Sequence, residues 1–197
     1  MNPLINLTHI AKTYNYRHIF QPVSFTVRAG EAWHIQGING SGKSTILKII
    51  AGLCSYDGEC KVNASLGYIG HKSGLYGQLT AIENMQYLTN WHTAYTNIEK
   101  GLSKLKEWQI PIYKTLDQLS AGQQQACALL SLYNLNKQCW LLDEATQCLD
   151  ANLTSLWFNI CKHHLQNNGI IIFTSHINND LMLDLATNNL KLERFKC

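Results

Sequence analysis

Short apolar runs of two kinds divide the chain, some flanked by turn residues and some repeating every three or four positions. Three β-like runs open it: LINLTHI (4–10), VSFTV (23–27) and AWHIQ (32–36). The last leads into GINGSGKST (37–45) and then into an apolar-periodic segment, ILKIIAGL (46–53). That order predicts a strand, a glycine loop and a helix. Two short segments, around Val62 and at LGYI (66–69), read as further strands. The pattern changes after Gly77. TAIENMQYLTNWHTAY opens with Thr80 and carries Glu83 three residues on, a capping box ahead of a helix. NIEKGLSKLKEW reads as a second helix. SAGQQQACALLSLYNL reads as a third, with Ser120 as cap and Gln123 three later. A buried strand, CWLL (139–142), a helix around 150–166 and a strand, IIIFT (170–174), complete the pattern. Strands separated by helices point to a mostly parallel sheet in an α/β fold, interrupted by a helical block near 75–135.

Composition narrows this picture. The chain has 197 residues, 46% hydrophobic and 15% charged, which supports one packed domain with an inserted lobe and argues against disorder. A net charge of +3 without any run of Lys or Arg gives no polybasic arm for nucleic acid or lipid. Seven scattered cysteines, none in C-x-x-C spacing, fit reduced thiols and not a disulfide framework, zinc site or covalent haem site. His163 and His164 are adjacent, so they project differently from a helix and make a poor chelate; a partly exposed helix is expected for them, and no direct haem site is recognised. The N-terminal residues show no signal-peptide pattern, and the apolar runs are far short of the roughly 20 residues that span a bilayer.

Gly37, four residues, then Gly42-Lys43-Ser44 is the phosphate-loop pattern. Glycines let consecutive backbone N–H groups turn inward around phosphate oxygens, and the following helix adds its positive end. Lys43 is expected to reach the β- and γ-phosphates and the Ser44 hydroxyl to ligate Mg²⁺. CWLLDEA ends a strand with Asp143 and Glu144. A carboxylate at that edge of a parallel sheet lies beside the phosphate loop. Asp143 is expected to hold Mg²⁺ through water, and Glu144 to polarise the attacking water as general base.

LSAGQ (119–123) lies between GINGSGKST and LLDEATQCLD (141–150), and together the three motifs resemble the nucleotide-binding subunit of an ABC transporter over nearly the whole chain. The resemblance implies the ABC ATPase fold: a P-loop NTPase with a mostly parallel core sheet, N-terminal antiparallel strands and a helical subdomain inserted at 75–135. It implies ATP and Mg²⁺ as cofactors, bound in a head-to-tail dimer with a second copy of the chain. The ATP-binding positions carried over are Tyr14 (adenine stacking, with Tyr16 a rival), Gly37, Asn39, Gly40, Ser41, Gly42, Lys43, Ser44, Thr45, Ser120, Gly122 and Asp150. His176 in FTSH matches the switch histidine, which contacts the γ-phosphate. Three departures stand out: Ala145 where the family usually has proline, Gln147 for a usual serine, and no arginine in ACALLS (126–131).

Within the family, the short chain, LSAGQ and the Gly70-His71 pair resemble the ATPase of the haem-handling complex of cytochrome c maturation. That implies an integral membrane partner resembling CcmB, with CcmC and CcmD as further candidates. It also implies a peripheral place on the cytoplasmic face of the bacterial inner membrane, and a helical block at 75–118 that receives the partner's coupling helix. No appended regulatory domain is expected. His71 stands where the family usually carries a glutamine that contacts Mg²⁺ or the attacking water when ATP is bound. An imidazole offers one donor and one acceptor and can also titrate, so His71 joins Glu144 and His176 as a catalytic candidate. Three alternatives stand beside this reading: export of another substrate, a soluble ATP switch acting on nucleic acid, and a small-molecule kinase that would leave LSAGQ and His176 unused.

Overall fold

A computed structural model describes residues 4–14, 17–71, 74–92, 98–175 and 181–193. Its strands are β1 (Ile5–Ala11), β2 (Thr13–Tyr14), β3 (Arg17–His18), β4 (Val23–Val27), β5 (Ala32–Gln36), β6 (Asp57–Val62), β7 (Leu66–Ile69), β8 (Cys139–Asp143), β9 (Ile170–Thr174) and β10 (Asn188–Lys191). Its helices are α1 (Lys43–Ile50), α2 (Ala81–His92), α3 (Glu99–Glu107), α4 (Ala121–Asn134) and α5 (Ala151–Gln166). Five strands make a parallel sheet in the order β10-β5-β9-β8-β7. Three make an antiparallel sheet, β4-β1-β6, and β2 with β3 forms a small hairpin.

Alternation along β8 and β9 explains the layering. All ten of their residues are buried, because each strand is covered on both faces. Cys139, Leu141, Ile170 and Ile172 pack with Ile46, Leu47 and Ile50 of α1 and with Ile5 and Leu7 of β1. Trp140, Leu142, Ile171 and Phe173 face the other way, against Leu129 of α4 and Trp157 of α5. The α1 helix thus lies between the two sheets, and its first residues meet the C-terminal ends of the parallel strands. Fully burying each of these large side chains contributes about 1.5–3 kcal/mol.

Buried amides tie the helical block together in addition to its apolar contacts. Asn134 at the end of α4 accepts from the Gly101 N–H of α3 (3.1 Å) and donates to Thr89 of α2 (3.2 Å). Asn84, 1% exposed, donates to the carbonyls of Tyr76, Leu79 and Thr80 and accepts from the Tyr76 N–H, which fixes the turn ahead of α2. Both capping boxes form: the Glu83 N–H donates to Thr80 Oγ1 while the Thr80 N–H donates to Glu83, and Ser120 and Gln123 do the same for α4.

The helix that carries the adjacent histidines is partly exposed, as expected: His163 is exposed, and the half-buried His164 ring lies flat on Trp140, with centroids 3.7 Å apart and planes 5° from parallel. Adjacent helical positions point about 100° apart, so one faces solvent and the other the core. Burial pushes the His164 pKa down, with smaller contributions in the same direction from Lys100 and His163 and opposing hydrogen bonds to the Ile170 and Gln138 backbone.

Candidate functional site

The loop from Gly37 to Gly42 turns through three left-handed glycines: φ is 154° at Gly37, 75° at Gly40 and 95° at Gly42. A side chain at Gly42 would also strike the Phe20 ring, 2.5 Å away, so close approach adds to the conformational requirement. Lys43, 5% exposed, donates from Nζ to the carbonyls of Gly37 (2.8 Å) and Ile38 (3.2 Å). Burial pushes its pKa down, and the nearby Glu144 and Asp143 charges partly oppose that. The cation is thus held at the loop by carbonyl dipoles and two carboxylates.

Asn39, Gly40, Gly42, Lys43, Ser44, Thr45 and Glu144 line a cavity of about 660 Å³, together with Ile19 and Gln147. Gly37 and Ser41 shape the loop without lining the cavity; Ser41 is fully buried behind it. Asp143 is 4% exposed at the end of β8, where its Oδ1 accepts from Ser44 Oγ and from Thr174 Oγ1, both at 2.9 Å. The register that sets Asp143 opposite Thr174 brings the two together across β8 and β9. Thr174 also accepts from the Glu144 N–H at 3.0 Å, and Glu144 has a left-handed backbone, φ 55°. The hydroxyl therefore fixes both carboxylate residues. Burial first, then the Asp143 charge and its hydrogen-bonding, pushes the half-buried Tyr68 phenol up to about 12.

A second cavity, about 540 Å³, is lined by Ser120, Gly122, Gln123, Cys148 and Asp150, among others. Here Gly122 is required by close approach, since a Cβ would lie 2.7 Å from the Cys148 carbonyl oxygen. Asp150 caps α5, accepting from the Leu153 N–H at 2.8 Å. Within one chain, Ser120, Gly122 and Asp150 are thus gathered apart from the phosphate loop.

Tyr14 is exposed on the β2–β3 hairpin, with the Lys12 ammonium 4.8 Å over its ring; it does not line the loop cavity. His71 is exposed just beyond β7 and does not line that cavity either. His176, like Tyr16, lies outside the described residues. Thr174, Tyr68 and Ile19 were not singled out from sequence, and Gln147 was marked only as a departure from the family pattern. A polar residue ending an otherwise apolar strand, as Thr174 does, is the one signal that pointed there.

No helix among the described residues is long and apolar enough to cross a membrane. The family model for ABC transporters matches residues 20–147. Among curated proteins, the cytochrome c biogenesis ATP-binding export protein CcmA of Idiomarina loihiensis is 32% identical, over 89% of this chain and 86% of its own. The CcmA of Vibrio cholerae is 30% identical over 98% of both chains. Among solved structures, the dimeric ATP-binding cassette MJ0796 bound to ADP and Pi superposes with a TM-score of 0.84 at 23% identity, over 96% of this chain and 94% of that one. A dimeric structure of the same cassette gives 0.82 at 24% identity, over 98% and 99%. With the phosphate loop, the strand-end carboxylates and the signature turn all in place, the chain belongs to the ABC transporter family and carries its ATP-hydrolysing cassette.

Proposed function

We propose that the chain energises haem handling, or release of a haem chaperone, in c-type cytochrome biogenesis, by hydrolysing ATP against a membrane partner. The observation that carries the ATPase half is the cluster at the foot of the loop cavity: Lys43, Ser44, Asp143 and Thr174 within hydrogen-bond reach of one another or of the loop. The client is supported by the CcmA name shared by relatives that align along most of their length.

The residues divide the work as follows. Backbone N–H groups of Asn39 to Thr45, at the positive end of α1, would hold phosphate oxygens, and Lys43 would add its charge. Ser44 and Asp143 present hard oxygens 2.9 Å apart, the donor chemistry that suits Mg²⁺, with Asp143 acting through water. Bound Mg²⁺ would neutralise charge on the phosphate oxygens. Glu144, in the cavity wall and anchored through its N–H, would accept the proton of the attacking water. Tyr14 would offer the exposed face of its ring to adenine, and His176 and His71 would complete the site from its margins.

The separate signature cavity supports a head-to-tail pair of chains, in which Ser120, Gly122 and Asp150 of one copy close on ATP held by the other. Residues 75–135 would form the inserted helical subdomain, and its 75–118 portion would receive a coupling helix from a CcmB-like membrane subunit. CcmC and CcmD would complete that assembly on the cytoplasmic face of the inner membrane. Two experiments test this. Glu144→Gln should keep ATP binding, abolish turnover and favour a trapped dimer; unchanged ATPase would remove Glu144 as the base. Pull-down from membranes should identify a haem-handling integral partner, and recovery of an unrelated exporter subunit would reassign the client.

A further inference from the structure

Lys12, between β1 and β2, is only 8% exposed. Burying an ammonium is costly unless something compensates it. Among the described residues, no carboxylate forms an ion pair with it. Two other contacts serve instead. Its Nζ donates to Ser55 Oγ at 2.8 Å, on the segment after α1, and lies 4.8 Å from the centre of the Tyr14 ring. An ammonium within about 6 Å of a ring centroid is attracted to the negative face of the ring. The backbone holds both partners in place. The Ile19 N–H donates to the Lys12 carbonyl at 2.9 Å and Thr13 pairs with His18, so Lys12 and Ile19 close the root of the β2–β3 hairpin. Ile19 lines the loop cavity, and its neighbour Phe20 is the ring that a side chain at Gly42 would strike. The hairpin that carries Tyr14 is thus rooted beside the phosphate loop.

Tyr14 itself is 56% exposed. The ammonium covers one face of its ring and leaves the other to a flat base. Drawing π-density toward the cation also lowers the repulsion that a second π-system meets on the far face. From these contacts we propose that Lys12 is a positioning residue for the adenine site: anchored by Ser55, it holds the Tyr14 ring in the orientation that stacks the base. A ring held in advance loses less freedom when the base arrives. The inference rests on the assignment of adenine stacking to Tyr14 proposed above. It concerns the base end of the nucleotide, since Lys12 does not line the loop cavity.

Two competitors separate the base end from the phosphate end. ADP and inorganic pyrophosphate are each used to displace a fluorescent ADP analogue from the full chain in excess Mg²⁺, and steady-state ATP hydrolysis is measured in parallel. Lys12→Met keeps an unbranched stem and removes the ammonium. It should bind ADP about three- to tenfold more weakly, the size of a cation–π contact sheltered from water, and pyrophosphate as the wild type does. Its KM for ATP should rise in parallel while kcat moves far less. Damage to the fold alone would instead weaken both competitors and lower kcat. Ser55→Ala, at an exposed position, frees the ammonium from its anchor and should weaken ADP the same way and by less; it decides the matter alone if the methionine variant does not fold. Tyr14→Leu should also weaken ADP, and adding Lys12→Met to it should cost nothing further. Wild-type ADP affinity in Lys12→Met, or equal losses for ADP and pyrophosphate, overturns the proposal while leaving the role of Tyr14 intact. If Tyr14→Leu binds ADP as the wild type does, the adenine reading of Tyr14 fails and the proposal falls with it.

Discussion

Replacing Thr174 by valine tests how far one hydroxyl organises the site. Valine keeps the shape and the β-branch, and removes only the polar atom. That atom is 2% exposed in residue terms, donates to Asp143 at 2.9 Å and accepts from the Glu144 N–H at 3.0 Å. A hydrogen bond to a charged group is worth about 1.5–3 kcal/mol, and depriving a backbone N–H of its acceptor adds about 1 kcal/mol. The expected loss is therefore about 3 kcal/mol. In a chain of this size each kcal/mol moves the melting temperature by about 2–4 °C. Thr174→Val should thus melt about 6–12 °C below the wild type, followed by circular dichroism or scanning fluorimetry. Turnover should fall more than tenfold, because both the Asp143 carboxylate and the left-handed Glu144 lose their common anchor. Thr174→Ser supplies the control: it restores the hydroxyl and loses a methyl group, at a cost of about 1 kcal/mol. A valine variant melting within about 2 °C of the wild type would refute the reasoning, since water or backbone adjustment would then replace the hydroxyl at little cost.

His71→Ala should lower turnover or its coupling to the membrane partner while leaving nucleotide affinity nearly intact; unaffected activity would return His71 to an ordinary loop histidine. Gly122→Ala should spare nucleotide binding to the phosphate loop but cut turnover at least tenfold, because its methyl group meets the Cys148 carbonyl and pushes the signature turn away from the Asp150 loop; a steady-state ATPase assay alongside a binding titration checks it. The pH dependence follows from His164. Its folded pKa lies below the ordinary 6.5, so between the two values the unfolded chain binds the extra proton. Stability from keeping His164 neutral is full above about 6.5 and is lost as the pH falls toward the folded value. His164→Phe, which preserves the stack on Trp140, should flatten the difference in urea midpoint between neutral and mildly acidic buffer; an unchanged difference assigns the acid sensitivity to other groups.

The parts legible in the sequence are those whose physics is local. The glycines of the phosphate loop, the two capping boxes and the unbroken runs of β8 and β9 each need only neighbouring residues to form, and the structure has them where the patterns placed them. Short pieces were not legible: β2, β3 and β10 have two to four residues each, too few to show a period. Buried polar residues were the other blind spot. Asn84 and Asn134 look like ordinary helix polar positions until the turn and the two helices they tie are seen to converge on them.

Gln147 shows how the two kinds of information meet. Sequence marks it as a departure, an amide where the family usually has a hydroxyl. Structure adds that the chain turns at Glu144, with the Gln147 N–H donating to the Glu144 carbonyl at 3.2 Å, so that Gln147 faces the same cavity as Lys43 and Glu144. Its neighbour Ala145, the second departure, is instead buried at 4% exposure in the core cluster. Two substitutions in one short loop therefore bear on different quantities. Ala145 bears on packing beneath the loop. Gln147 instead puts a longer donor and acceptor into the wall of the cavity beside the phosphate loop.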